Sequence, residues 1–158
     1  MNISVLPFGN FENVFSEREI EGALNNALTQ TAKAIQVDYR VTTKTWDHQP
    51  VFEIKTPAKF ERLIFTTDKI YLFVSGGTRP HVIKPKNASM LRFQAGYSAK
   101  TSVRVIGSTA GGSSGRVIYS RGVMHPGTKA RQFPEVIGKK WEREWPRQLD
   151  RAMMVIAK

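Results

Sequence analysis

From Asp68 to Glu135 the chain runs without an intervening acidic residue, while Lys69, Arg79, Lys84, Lys86, Arg92, Lys100, Arg104, Arg116, Arg121, Lys129 and Arg131 place eleven positive charges in the same stretch. One long helix is not open to it. Pro80, Pro85 and Pro126 fix φ and remove backbone donors, and glycines recur between them. Charges of one sign that alternate with turn residues point instead to extended arms. Such a field calls for an anionic partner, either a nucleic-acid backbone or the acidic face of another protein. A solvated basic face that only aids solubility is the plain alternative. The excess is local: residues 1–78 carry 8 Lys and Arg against 9 Asp and Glu, and residues 79–158 carry 16 against 4, so the net charge of +11 belongs to the second part.

Helical periodicity brackets this stretch. Ser16 with Glu19 forms a capping box, after which Ile20, Ala23, Leu24, Ala27, Leu28, Thr31, Ala34 and Ile35 recur every three to four residues and predict a helix over 16–38. The β-branched run Val41, Thr42, Thr43 is expected to end it, with a continuation toward Trp46 left open. At the other end Pro134 suits a first turn, and Ile137, Trp141, Trp145, Leu149, Ala152, Met153 and Ile156 mark an apolar stripe over 133–157 that Pro146 is expected to kink or divide.

Between the helices, 51–125 reads as sheet. Phe52 and Ile54 alternate with Glu53 and Lys55. Phe60 to Phe65 and Ile70 to Val74 flank Thr66-Thr67-Asp68-Lys69 as a hairpin would, and the second run, apolar on both faces, reads as a central strand. Met90 to Phe93 and Arg116 to Arg121 also have strand character. Residues 79–87 and 98–115 are expected to be extended basic loops, the Gly-rich 107–115 flexible, and His125-Pro126-Gly127 a turn. The order helix, strands, helix predicts an α+β fold, an antiparallel sheet packed against an N-terminal and a C-terminal helix, in one domain over 1–158.

The residues do not assemble an enzyme. Gly107 to Gly115 lacks the Gly-Lys-Ser/Thr ending of a phosphate loop, and His48, His81 and His125 show no metal-ligand spacing. Asp47-His48 reads as a loop pair capping backbone groups. The acids cluster in the terminal helices, where ion pairs on solvent faces account for them. No catalytic residue, cofactor or metal is expected. Trp46 and Trp141 read as core rather than as stacking platforms for bases, and Trp145, beside Pro146, as core or the anchor of a subunit contact. With no cysteine, the chain is compatible with a reducing cytoplasm. Met1 to Leu6 lacks a secretory pattern and no apolar run reaches the roughly 20 residues of a membrane span, so a soluble protein is expected.

Taken in order, Tyr71, Gly77-Thr78, His81-Val82-Ile83-Lys84-Pro85-Lys86-Asn87, Leu91-Arg92-Phe93 and, after a loop, His125-Pro126-Gly127-Thr128-Lys129-Ala130-Arg131 with Phe133 resemble the tail-component (tail-completion) family of long-tailed bacteriophages. The likeness covers about residues 70–135. The chain departs from that family at Trp46 to Pro50, where many members have a Pro-Val-Asp-Thr-Gly-like turn, and at Gln132, where they have proline. The resemblance implies a structural protein of the virion at the head–tail joint, assembled in the host cytoplasm. It would form a closed ring, expected as a hexamer, between portal and tail tube, at an adaptor, completion or terminator level. Its implied partners are copies of itself, neighbouring connector, terminator or tube proteins and genome DNA in the channel, with no membrane and no small-molecule substrate. Segments 79–87 and 98–115 would project from a helix-and-sheet body. The residues expected at the interface or facing anions are Arg79, His81, Lys84, Lys86, Arg92, Lys100, Arg104, Arg116, Arg121, Lys129 and Arg131. A free-standing nucleic-acid-binding protein is the competing reading of the same cations.

Overall fold

A computed structural model describes residues 15–157, so the Met1 to Leu6 start and Lys158 lie outside it. The fold is α+β. Helix α1 (Glu17–Thr43) begins where the capping box places it: the Ser16 hydroxyl accepts from the Glu19 N–H, and the Glu19 carboxylate accepts from the Ser16 N–H at 2.8 Å. The Ser16 hydroxyl, donating to the Glu19 carboxylate at 2.7 Å, and after it the Ser16 N–H hold the Glu19 carboxyl below its ordinary pKa. The helix runs five residues beyond the predicted 38. Thr42 and Thr43, poor helix formers, are fully buried in its last turn, where their hydroxyls donate to the carbonyls of Asp38 at 2.7 Å and Tyr39 at 3.2 Å. Burial and this back-bonding override propensity.

Strands β1 (Glu53–Lys55) and β2 (Leu63–Phe65) form a hairpin earlier in the chain than predicted, with Ile54 opposite Ile64. Its connection lies along α1, where Arg62 donates to Asn25 Oδ1 and Thr29 Oγ1 at 3.2 Å. The segment expected as a central strand is a helix, α2 (Lys69–Gly76). The Asp68 carboxylate caps it by accepting from the Tyr71 N–H at 2.7 Å, and Gly77, at φ 79°, ends it. A five-residue apolar run is ambiguous by periodicity, and here the flanking caps decide. Burial on both faces does not occur. Tyr71 and Ser75, one turn apart, face inward, while Ile70, Leu72 and Phe73 are about half exposed or more.

The rest of the middle segment is one long, nested antiparallel ribbon. At its base Thr78 and Thr128 exchange backbone hydrogen bonds at 3.0 and 3.2 Å. Then β3 (His81–Ile83) pairs with β8 (Val123–His125), β4 (Leu91–Gln94) with β7 (Val117–Ser120), and β5 (Tyr97–Ser98) with β6 (Gly112–Ser113). Residues 84–90 on one side oppose only 121–122 on the other, an elbow between two ladders. Val103 to Ile106, within the expected loop 98–115, includes a turn with Arg104 at φ 57°. The Gly-rich loop is not free along its length, since Gly112–Ser113 is in the ladder.

Helix α3 (Phe133–Ile156) starts at Gln132 in the left-handed region and carries Pro134 in its first turn. Pro146 lies inside it without dividing it. It packs on α1, where Asp38 accepts from Lys140 Nζ at 2.6 Å and from Trp141 Nε1 at 2.7 Å. Phe52, Tyr71, Phe133 and Ile137 form the core, with Tyr39, Trp46, Val74, Ile106 and Trp141 packed around it. Tyr39 stacks on Phe52 with ring centroids 4.9 Å apart, and Tyr71 meets Phe52 edge-on at 5.1 Å. Trp46 and Trp141 thus pack on the core but are only half-buried, as is Trp145. Among the described residues no helix is long and apolar enough to cross a membrane.

Candidate interaction surface

The ribbon concentrates the charge. Residues 78–131 hold ten Lys and Arg and no acid, whereas residues 15–77 and 132–157 together hold thirteen Lys and Arg against twelve Asp and Glu. A nearly neutral helical body therefore carries a uniformly cationic ribbon. Arg79, Lys84, Lys86, Arg92, Arg116, Arg121 and Lys129 are exposed, and none has an acidic partner among the described residues. Lys84, Lys86 and Arg121 all belong to the elbow segments, where the Lys84 stem lies alongside Gly122. Arg92 stands across the ladder from Tyr119, on the same face as Gln94 and Val117.

Three predicted cations turn away from this surface. Lys100 pairs with Asp47 at 2.8 Å and leaves 17% of its side chain exposed. Arg104 donates from Nε to Gln132 Oε1 at 3.0 Å. Arg131 is half-buried; its backbone N–H donates to Ser75 O at 3.0 Å at the end of α2, and its Nε is buried without a partner. These contacts belong to the tip of the ribbon, residues 99–111, and the segment 129–132 that follows its base, which meet on the body. Thr45 Oγ1 donates to Thr109 O at 2.7 Å, the Gly107 N–H to Thr42 Oγ1 at 3.2 Å, and the Arg104 N–H to Arg131 O at 3.1 Å. The 98–115 segment, expected to project, is tied down at its tip. What projects is the ribbon's middle.

Apolar groups share that middle. Ile83, Leu91, Phe93, Val123, Met124 and Pro126 line a 320 Å³ groove at the junction of the two ladders. Val82 and Met124, opposite one another on β3 and β8, are 53% and 65% exposed, and no element of the body covers them.

His81 joins the ribbon cations in an unforeseen way. It faces His125 across the ladder with ring centroids 5.0 Å apart. His125 Nδ1 accepts from the Gly127 N–H at 3.0 Å, and His81 Nδ1 lies 2.9 Å from Arg79 O. The two are 44 positions apart, which is why their spacing gave no signal. Asp47 and His48 do not act as a pair capping backbone: Asp47 holds Lys100 and His48 holds Asp68. Burial alone would raise the Asp68 pKa, but the Tyr71 N–H and His48 outweigh it and hold the carboxyl below its usual range. At Tyr71, burial first and neighbouring Tyr39 second push the hydroxyl's pKa well up. Among the described residues no three His, Asp or Glu side chains gather as metal ligands would.

No family model, no curated protein and no solved structure matches the chain.

Proposed function

We propose that the chain is a non-enzymatic structural protein of the bacteriophage head–tail joint, a building block whose copies close into a ring between the portal end of the capsid and the tail tube. One observation carries the reading. Two motifs that resemble the tail-component family, the one beginning His81-Val82-Ile83 and the one beginning His125-Pro126-Gly127, meet where His81 pairs with His125 in the base ladder of a ribbon that stands off a helical body with apolar side chains uncovered. A ring needs a heterologous contact, two different patches on each copy. The ribbon with Val82 and Met124 supplies one, and the outer face of α2, with Ile70, Leu72 and Phe73 uncovered, supplies a second of matching apolar character.

The test is assembly. Sedimentation and electron microscopy of concentrated protein, alone and with portal or tube proteins, should reveal closed rings, and Val82→Asp with Met124→Asp should abolish them while the helical circular dichroism stays unchanged. Solitary molecules under all these conditions would overturn the reading. The ten unopposed cations favour one other reading, a free-standing nucleic-acid-binding protein. Tight duplex binding by a species that stays monomeric at every concentration would establish that alternative.

A further inference from the structure

We infer that the projecting middle of the ribbon is a docking surface for the phosphate backbone of duplex DNA, held by Lys84, Lys86, Arg92, Arg116 and Arg121. The inference deepens the proposed joint function by naming a partner, and it can fail independently of ring formation. Three observations carry it.

The first is the purity of the charge. Ordinary protein surfaces intersperse both signs of charge, so a patch that complements one carries both signs as well. Residues 78–131 offer no acid with which to do so, whereas a polyphosphate is uniform and needs none. The second is that the cations are available. All five are exposed and lack an acidic partner among the described residues, while Lys100 and Arg131 are partly buried against the body and Arg104, exposed like the five, lies at the anchored tip with Nε donating to Gln132. The surface is therefore narrower than the sequence suggests, and it is gathered at the elbow and the β4–β7 ladder.

The third is shape and neighbours. A two-stranded ribbon has about 4.8 Å between strands and, with side chains, the width of an element that the roughly 12 Å major groove admits. Between the cations stand Asn87, Ser89, Gln94 and Tyr119, exposed side chains of the kind that donate to phosphate oxygens beside Arg and Lys. The binding so described tracks backbone and reads no sequence.

The magnitude is set by counterion release. Five phosphate contacts give a slope of log K against log salt of about −4.5, a weakening of about 500-fold for a fourfold rise in salt. The experiment is fluorescence anisotropy of a short mixed-sequence labelled duplex across a salt series. The variants are Arg121→Gln alone, Lys84→Gln/Lys86→Gln/Arg121→Gln together, and Lys33→Gln on the exposed side of α1 as the control, with circular dichroism to verify folding. The expected result is the slope above, reduced by about 0.9 for the single variant and about 2.7 for the triple one, and unchanged for Lys33→Gln.

Three results overturn the inference: no duplex binding at low salt, a triple variant that binds as the wild type does, or displacement of duplex by poly-glutamate at equal charge equivalents. The last would assign the ribbon to an acidic protein. Sedimentation of the same samples separates the two claims. Monomers that bind duplex with this slope leave the DNA surface standing and sink the ring, and rings without duplex affinity do the reverse.

Discussion

Asp68 shows how much one side chain can settle. Its carboxylate caps α2 through the Tyr71 N–H and holds His48, a residue twenty positions earlier, against the same helix start. Replacing it with alanine leaves the first turn of α2 uncapped and should cost about 1 kcal/mol, a fall in Tm of roughly 2–4 °C for a chain of this size. Asp68→Asn, which keeps an acceptor, should cost less. Because the folded carboxyl has a lowered pKa, its contribution is present above the ordinary value of about 4 and is lost as pH falls through the folded value. Acid titration of wild type and Asp68→Asn should therefore converge in stability at low pH. Tyr71, in the middle of the aromatic core, gives a contrasting pair. Its hydroxyl is buried with no hydrogen-bond partner of full geometry among the described residues, so Tyr71→Phe should be neutral or stabilising in chemical denaturation, while Tyr71→Ala should cost about 3–5 kcal/mol. A large loss in Tyr71→Phe would mean that the hydroxyl is satisfied.

At the level of elements, the helix starts were legible because their signals are local: Ser16 with Glu19 for α1 and Pro134 for α3. The strand expected at Ile70 to Val74 was not, because its apolar run fits either period, Asp68 before it suits a hairpin turn as well as a helix cap, and Gly77 after it stops a strand as well as a helix. The candidate surface was half legible. Absence of acids marked the ribbon cations, but nothing local could reveal that Lys100 is held by Asp47 53 positions away or that Arg104 reaches Gln132. The ribbon's base makes a sharper demand on sequence. Gly77 and Gly127 sit at φ 79° and 88°, and a Cβ on Gly77 would fall 2.7 Å from Thr128 O, while one on Gly127 would collide with Thr78 O. Gly127→Ala should thus part Thr78 from Thr128 and loosen the ribbon while sparing the helices. Limited proteolysis should then cut within 79–126 faster than in wild type, at unchanged helical circular dichroism; equal rates would show that the ladder does not depend on that close approach.

For the molecule as a whole, the division into a balanced body and a cationic ribbon separates two kinds of association by the sign of their response to salt. Copies that approach ribbon to ribbon repel one another, so contacts through Val82, Met124 and the outer face of α2 should strengthen or hold steady as salt is added, while attachment to a polyanion weakens. Sedimentation across a salt series, with and without duplex, should show the two trends crossing. Self-association that dissolves with added salt would mean that charge pairing between copies, not apolar contact, joins them.

The anchorage of the tip by Thr42, Thr45 and Asp47 turns the ribbon from an arm into a handle fixed at both ends. A handle cannot sweep about in search of something to grip, so little freedom is left to lose when it is gripped. Its standoff from the helices is set once, when the chain folds. In a closed collar, such a fixed standoff would act as a ruler, dictating the angle between successive copies and hence how many complete the circle.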